Sequence, residues 1–340
     1  MSADQQNSPH AEPGRPGAVR VGAVDCGTNS IRLLVAEGVP GEPGLTDVTR
    51  EMRIIRLGEG VDATGRLSDG AIARCRTALA DYTATMNEHG VQAVRMVATS
   101  ATRDAANKTE FFDMTAEVLG EHFPGAVAEV ISGQTEAELT FAGGVVDLDP
   151  ERGPYVVTDL GGGSTEIVVG DLVDGEVKLL GARSTDVGCV RVTERYLHTD
   201  PPPGIEIREA QSGIAGVFSG VAGLPLGLAS RWVGVAGTFT TLSALAQELE
   251  TYDPERLHNS VVTLERMRDV CSRLVGTSVC ERRALGPMHP GRADVIGGGA
   301  LVASALCDLM AERAGLSELT VSEKDILDGI AMSVLGRLAG

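Results

Sequence analysis

The sequence predicts an α/β protein built as two related lobes, and three observations carry that reading. Apolar residues make up 43% of the 340 positions, aromatic ones only 3%, and 43 residues are glycine. A core of Val, Leu, Ala and Ile packed beside many tight turns suits stacked layers of helix and sheet. Short β-rich runs alternate with amphipathic stretches. The opening plan also restarts near the middle: Asp25 and Asp159 each close an apolar strand and open a loop of Gly, Ser and Thr.

Taken in order, residues 1–19 are polar and rich in Pro and Gly, lack the apolar run of a signal peptide, and are expected to form a disordered tail. Residues 21–24 and 31–36 read as a hairpin around Asp25-Cys26-Gly27-Thr28-Asn29-Ser30. Residues 53–57 are expected to form another strand. Ser68 should cap a helix reaching Glu88, closed by Gly90 before a strand at 93–98. Residues 101–119 read as a helix. A strand at 127–131 then delivers Ser132-Gly133-Gln134-Thr135-Glu136 at its C-terminal end, where α/β sheets tend to bind ligands.

Residues 155–160 and 166–169 repeat the hairpin around Asp159-Leu160-Gly161-Gly162-Gly163-Ser164-Thr165. Pro201-Pro202-Pro203-Gly204 interrupts the second half, and residues 232–235 followed by Gly237-Thr238 form a third strand-to-loop junction. Helices with small faces follow. The expected lobes are residues 20–136 and 137–324, with a C-terminal helix at about 325–340 rejoining the first.

The formal net charge of −18 argues against nucleic-acid and membrane-surface partners, which select basic patches. No apolar run approaches the length of a membrane span. Six dispersed cysteines show no metal-binding spacing and point to a reducing cytoplasm. Of 29 basic residues only Lys108, Lys178 and Lys324 are lysines. The rest are arginines, whose planar fork suits phosphate oxygens, although genomic base composition gives the same bias.

A tight turn of Gly, Thr and Ser presents backbone N–H groups and hydroxyls to phosphate oxygens. Taken singly, each of the two loops is equally well an ordinary hairpin turn; two facing one cleft favour an anion site. Asp25 and Asp159, acidic beside such loops, read as Mg²⁺ contacts. Glu136 reads as a carboxylate able to orient water, or from spacing alone as a surface glutamate. Arg103, at a helix start, reads as a phosphate ligand or a helix salt bridge. The scattered histidines are assigned no role.

Together Asp25 to Leu33, Thr99-Ser100-Ala101-Thr102-Arg103, Ile131-Ser132-Gly133 with Glu136-Ala137, and Asp159 to Glu166 resemble the exopolyphosphatase and guanosine-pentaphosphate phosphohydrolase family. That family is a branch of the actin, sugar kinase and heat-shock ATPase superfamily. The resemblance continues through Gly188-Cys189-Val190-Arg191, Gly237-Thr238, Pro290 to Asp294 and Ser322-Glu323. It implies two ribonuclease-H-like lobes with an interdomain cleft, and a short member lacking the helical extension of longer relatives. It also implies release of orthophosphate from polyphosphate, with Mg²⁺ as cofactor and a monovalent cation as a second candidate, in a possible homodimer.

By motif position the resemblance makes Glu136 the general base. Asp159 and Glu166 organise metal and water, Asp25 is their first-lobe counterpart, and Arg103 binds the terminal phosphate. The phosphate loops are Gly27, Thr28, Asn29 and Ser30, and Gly161, Gly162, Gly163, Ser164 and Thr165. Thr135 stands where many relatives carry a second Glu. The same site would serve guanosine pentaphosphate. A nucleotide-binding kinase, using residues 233–245 as relatives hold adenosine, and a non-catalytic polyphosphate or nucleotide sensor are the further readings.

Overall fold

The computed structural model describes residues 15–42, 44–173 and 176–339. The chain runs β1 (Val19–Cys26), β2 (Ser30–Gly38), β3 (Thr46–Ile54), α1 (Val61–Thr64), α2 (Asp69–Glu88), β4 (Ala93–Ala98), α3 (Ser100–Asp104), α4 (Lys108–Gly120), β5 (Glu129–Val130) and α5 (Gly133–Val145). It continues with β6 (Tyr155–Leu160), β7 (Thr165–Val173), β8 (Glu176–Thr185), α6 (Cys189–Tyr196), α7 (Gly204–Phe218), β9 (Arg231–Val235), α8 (Ala236–Ala246), α9 (Pro254–Leu257) and β10 (Ser260–Thr263). The last elements are α10 (Leu264–Val275), α11 (Val279–Arg283), α12 (Ile296–Ala314), β11 (Glu318–Val321) and α13 (Ile326–Ala339).

These elements build the expected α/β architecture around two sheets, in the orders β3-β2-β1-β4-β5 and β10-β11-β9-β6-β7-β8. Their plans correspond. An antiparallel three-strand meander (β1-β2-β3 or β6-β7-β8) is followed by a strand, β4 or β9, parallel to the first. Central β6, Tyr-Val-Val-Thr-Asp-Leu, is buried along its whole length, as a strand covered on both faces must be.

Local chemistry accounts for the best-read elements. Ser68 accepts from the Ala71 N–H and starts α2, whose Ala71, Cys75, Ala78, Leu79, Tyr82 and Met86 form one buried stripe. Gly90, at φ 67°, supplies the left-handed turn into β4. One face of the first sheet packs on α2 and α4. The other is covered by α13 through Ile326, Leu327, Ile330, Val334 and Leu335, each side chain stabilising by about 1.5–3 kcal/mol. Helix α5 packs on the second sheet through Ala137, Phe141 and Val145. It crosses α13 so closely that a Cβ on Gly143 would lie 1.7 Å from the Asp325 carbonyl oxygen.

Several expectations change. The strand placed at 53–57 is instead Thr46–Ile54. Ile55 and Leu57 are buried because the segment folds against the first Gly-rich loop, with the Ile55 and Arg56 N–H groups donating to the Asn29 carbonyl. The helix at 101–119 breaks at 105–107, where Asn107 turns its amide to the backbone of Leu67. The strand at 127–131 shrinks to Glu129–Val130. Gly237-Thr238 lies not in a loop but in the first turn of α8. Of the expected tail, residues 1–14 lie outside the described residues, and Val19 already pairs in β1. The position expected to divide the lobes, after Glu136, falls within the first turn of α5.

Candidate active site

The two hairpin loops have the same local geometry. In the first, the Gly27 N–H donates to the Ser30 carbonyl at 2.9 Å; in the second, the Gly161 N–H donates to the Ser164 carbonyl at 3.1 Å. Strand register places Asp25 opposite Arg32 and Asp159 opposite Glu166. The halves thus differ in one charge: a guanidinium faces the aspartate in the first hairpin and a carboxylate faces it in the second. Arg32 Nη2 binds Asp25 Oδ2 at 2.7 Å, and its Nη1 pairs with Asp325 at the entry to α13.

The loops meet. Thr28 Oγ1 lies 3.0 Å from Ser100 Oγ, and a Cβ at Gly163 would come within 2.8 Å of both hydroxyls, so only glycine permits this approach. The carbonyls of Gly161 and Gly162 accept from the N–H groups of Cys189, Val190 and Arg191 at the start of α6. In a planar trans peptide the following N–H points the opposite way, so the N–H groups of Gly162 and Gly163 are turned away from α6.

A cavity of about 100 Å³ lies between the loops, walled by Asp25, Gly27, Thr28, Asn29, Ser30, Glu136, Asp159, Gly161, Gly162, Ser164 and Glu166, among others. Those expected site residues are therefore brought together. Arg103, Gly163 and Thr165 do not line it. Thr165 is fully buried with its hydroxyl donating to the Val187 carbonyl at 2.6 Å. Arg103 Nη1 binds Glu136 Oε2 and the Ile131 carbonyl, both at 3.1 Å.

Glu136 sits in the first turn of α5 and is only 6% exposed, which removes its reading as a surface residue. Ser132 caps that helix by accepting from the Thr135 N–H at 3.1 Å. The Thr135 hydroxyl lies 3.1 Å from Ser132 Oγ, so this side chain joins the cap. Burial, then the nearby Glu166 carboxylate, push Glu136 well above the usual carboxylate range, against the pull of Arg103. Asp159 is likewise raised by burial, then by Glu166 and Asp325. Glu166 is raised by burial, opposed by the Ser184 hydroxyl, which donates at 2.7 Å. Burial also raises Asp25, with Arg32 opposing.

The arrangement concentrates buried carboxylates beside hydroxyls and N–H donors. No three His, Cys, Asp or Glu side chains converge as a metal cluster among the described residues. Asp25 is committed to Arg32 and Glu166 to Ser184. Asp159 is buried with no ion pair among the described residues. That donor set fits a divalent ion held by one carboxylate together with waters and substrate oxygens, the habit of Mg²⁺.

Sequence reasoning assigned no role to Arg32, Asp325 or Arg292. Arg32 and Arg292 stood within the family motifs; Asp325 did not, and only the return of the chain end beside β2 brings it here. Arg292 packs on Gly237, where a Cβ would collide with the guanidinium, and its Nη1 donates to the Gly237 carbonyl at 3.3 Å. A second cavity of about 670 Å³ opens beyond it, with Met52, Tyr252, Met288 and Leu327 in its wall.

The model of the Ppx/GppA phosphatase family matches residues 34–334. Exopolyphosphatase 2 of Mycobacterium tuberculosis is 54% identical over 320 residues, covering 93% of this chain and 99% of that one. The crystal structure of an exopolyphosphatase-like protein superposes with a TM-score of 0.89 at 38% identity, covering 95% of this chain and 100% of the other. The Aquifex aeolicus member of the Ppx/GppA family superposes with a TM-score of 0.76 at 29% identity, covering 95% and 99%.

Proposed function

Because the chain belongs to the Ppx/GppA phosphatase family, we propose that it is an exopolyphosphatase, hydrolysing the terminal phosphoanhydride of inorganic polyphosphate and releasing orthophosphate. The observation that carries this reading is a buried Glu136 facing two opposed Gly/Ser/Thr loops across one small cavity. The first loop and the N–H groups of the second hold the terminal phosphate. Glu136 Oε accepts a proton from the attacking water as the new P–O bond forms and the anhydride P–O bond breaks; the shortened chain leaves as its phosphate anion. Arg103, outside the cavity lining, orients Glu136 and holds a positive charge beside it.

Asp159, with Glu166 opposite it in the strand register, would hold Mg²⁺, which would supply charge neutralisation for the phosphate oxygens. Asp25, tied to Arg32, fixes the wall of the first loop. Burial and the Glu166 carboxylate raise Glu136 above an ordinary glutamate, which strengthens it as an acceptor of the water's proton. Six free cysteines accord with work in a reducing cytoplasm.

A second reading has its own observation. The cavity beyond Arg292 has an apolar wall and room for a nucleoside, which favours hydrolysis of the 5′ γ-phosphate of guanosine pentaphosphate by the same groups. Orthophosphate release from long polyphosphate, tripolyphosphate, guanosine pentaphosphate and ATP, each with Mg²⁺, separates the two. Release from polyphosphate is expected. Release from the nucleotide alone replaces the first reading with the second, and binding without release from any substrate makes the protein a sensor.

A further inference from the structure

The carbonyls of the second phosphate loop are pinned in two ways. Those of Gly161 and Gly162 accept from backbone N–H groups at the start of α6, at 2.9–3.1 Å, and need no side chain. That of Gly163 accepts from Arg191 Nε at 2.9 Å. The same guanidinium reaches the first half of the chain with its other two nitrogens: Nη1 binds Asp62 Oδ1 at 2.9 Å and Nη2 binds Asp104 Oδ2 at 2.8 Å. Only 14% of the Arg191 side chain is exposed, so these charge-assisted bonds are partly shielded from water.

Both partners lie outside the candidate cavity, on short helices of the first half. Asp104 follows Arg103, which holds Glu136, so the single turn of α3 holds the proposed general base through one residue and, through the next, the arginine that pins the phosphate loop. Asp62, in α1, is also bound by Arg195 Nη2 at 2.6 Å, and the Gly60 N–H donates to Glu194 at 3.2 Å. Three charged side chains of α6, at 191, 194 and 195, thus face the first half.

Resting on the exopolyphosphatase reading above, we infer that Arg191 is a positioning residue: it fixes the Gly163 peptide, and so directs the Ser164 N–H away from α6, only while Asp62 and Asp104 hold its guanidinium. The peptide's N–H is antiparallel to the pinned carbonyl. Release of the guanidinium frees that peptide to rotate, and the loop loses one oriented donor to phosphate. Drawing the two halves together therefore completes the phosphate site, and separating them dismantles it.

The test is steady-state hydrolysis of polyphosphate by wild type, Arg191→Gln, Arg191→Lys, Asp62→Asn/Asp104→Asn, and the triple variant combining Arg191→Gln with both aspartate changes. Arg191→Gln should raise KM by about tenfold or more, with kcat changed much less. Lysine keeps the charge but lacks the three-pronged fork, and should not rescue. The double aspartate variant, which leaves Arg191 in place, should raise KM by a similar factor, and the triple variant should be no worse than Arg191→Gln alone.

A wild-type KM in Asp62→Asn/Asp104→Asn, or multiplying losses in the triple variant, overturns the inference. A fall in kcat at unchanged KM throughout also does so, because that is the signature of a smaller folded fraction. If wild type releases no orthophosphate from polyphosphate, the functional reading has failed by itself. The coupling is then read from tripolyphosphate affinity measured by calorimetry across the same variants, with the same pattern expected.

Discussion

Replacing Glu136 with glutamine changes one charge and almost no volume. The wild-type carboxyl is buried, raised first by desolvation and then by Glu166, with Arg103 as its counter-charge. In the Glu136→Gln variant the amide keeps an oxygen for the Arg103 Nη1 bond, 3.1 Å long in the wild type, but cannot accept the proton of water. General-base catalysis contributes about 10²–10⁴, or about 2.7–5.4 kcal/mol of barrier at 1.36 kcal/mol per decade, and kcat should fall by that factor. Removing a negative charge from a pocket that receives a polyanion should leave KM unchanged or lower it. The same removal relieves repulsion with Glu166, so thermal stability at neutral pH should rise. Initial rates of orthophosphate release across a substrate series, with melting curves in parallel, read all three quantities. A kcat within about threefold of wild type would refute the assignment of Glu136 as base, and a lowered melting temperature would refute the electrostatic account.

Other expectations are as specific. Because the folded protein holds Glu136 above its unfolded value, its protonated form stabilises at low pH and that contribution is lost as pH rises through the folded value; melting temperatures of wild type and Glu136→Gln should converge in acid and separate toward neutrality. The acid limb of kcat should likewise lie above that of an ordinary glutamate and disappear in the variant's residual activity. Asp159→Asn should raise the Mg²⁺ concentration for half-maximal rate by at least about tenfold, and unchanged metal dependence would remove Asp159 from the metal's surroundings. Gly143→Ala places a methyl against the Asp325 carbonyl, so the backbone of one helix must shift; chemical denaturation should show a loss of about 1–3 kcal/mol or more.

The site's loops were legible because their chemistry is local. Asp25 and Asp159 end apolar strands, and Gly, Ser and Thr can do little else there than turn. Ser68, Gly90 and the strands at 93–98 and 155–160 were legible for the same reason: caps and continuous apolar runs act at short range. Edge elements were not. Strand β3 carries Thr-Asp-Val-Thr-Arg-Glu-Met-Arg-Ile, whose polar residues face water at a sheet border, so the apolar signal at Ile55 and Leu57 marked burial rather than pairing. Arg32 and Asp325 meet although 293 positions apart, and no window of sequence contains that pair. The burial of Glu136 depends on α5 packing against a sheet that begins more than a dozen residues later.

Helix α13 has a consequence for the order in which the protein can be made. The first sheet is complete once β5 has formed, yet one of its faces is covered by a helix that begins roughly 200 residues later, about 10–40 s of ribosome time at usual elongation rates. Throughout that interval Val21, Ala23, Leu34 and Val97 lack the α13 side chains of their native cluster. Arg32 also lacks its Asp325 counter-charge until then, so this wall of the candidate pocket is finished only when a residue 293 positions further along the chain has been made.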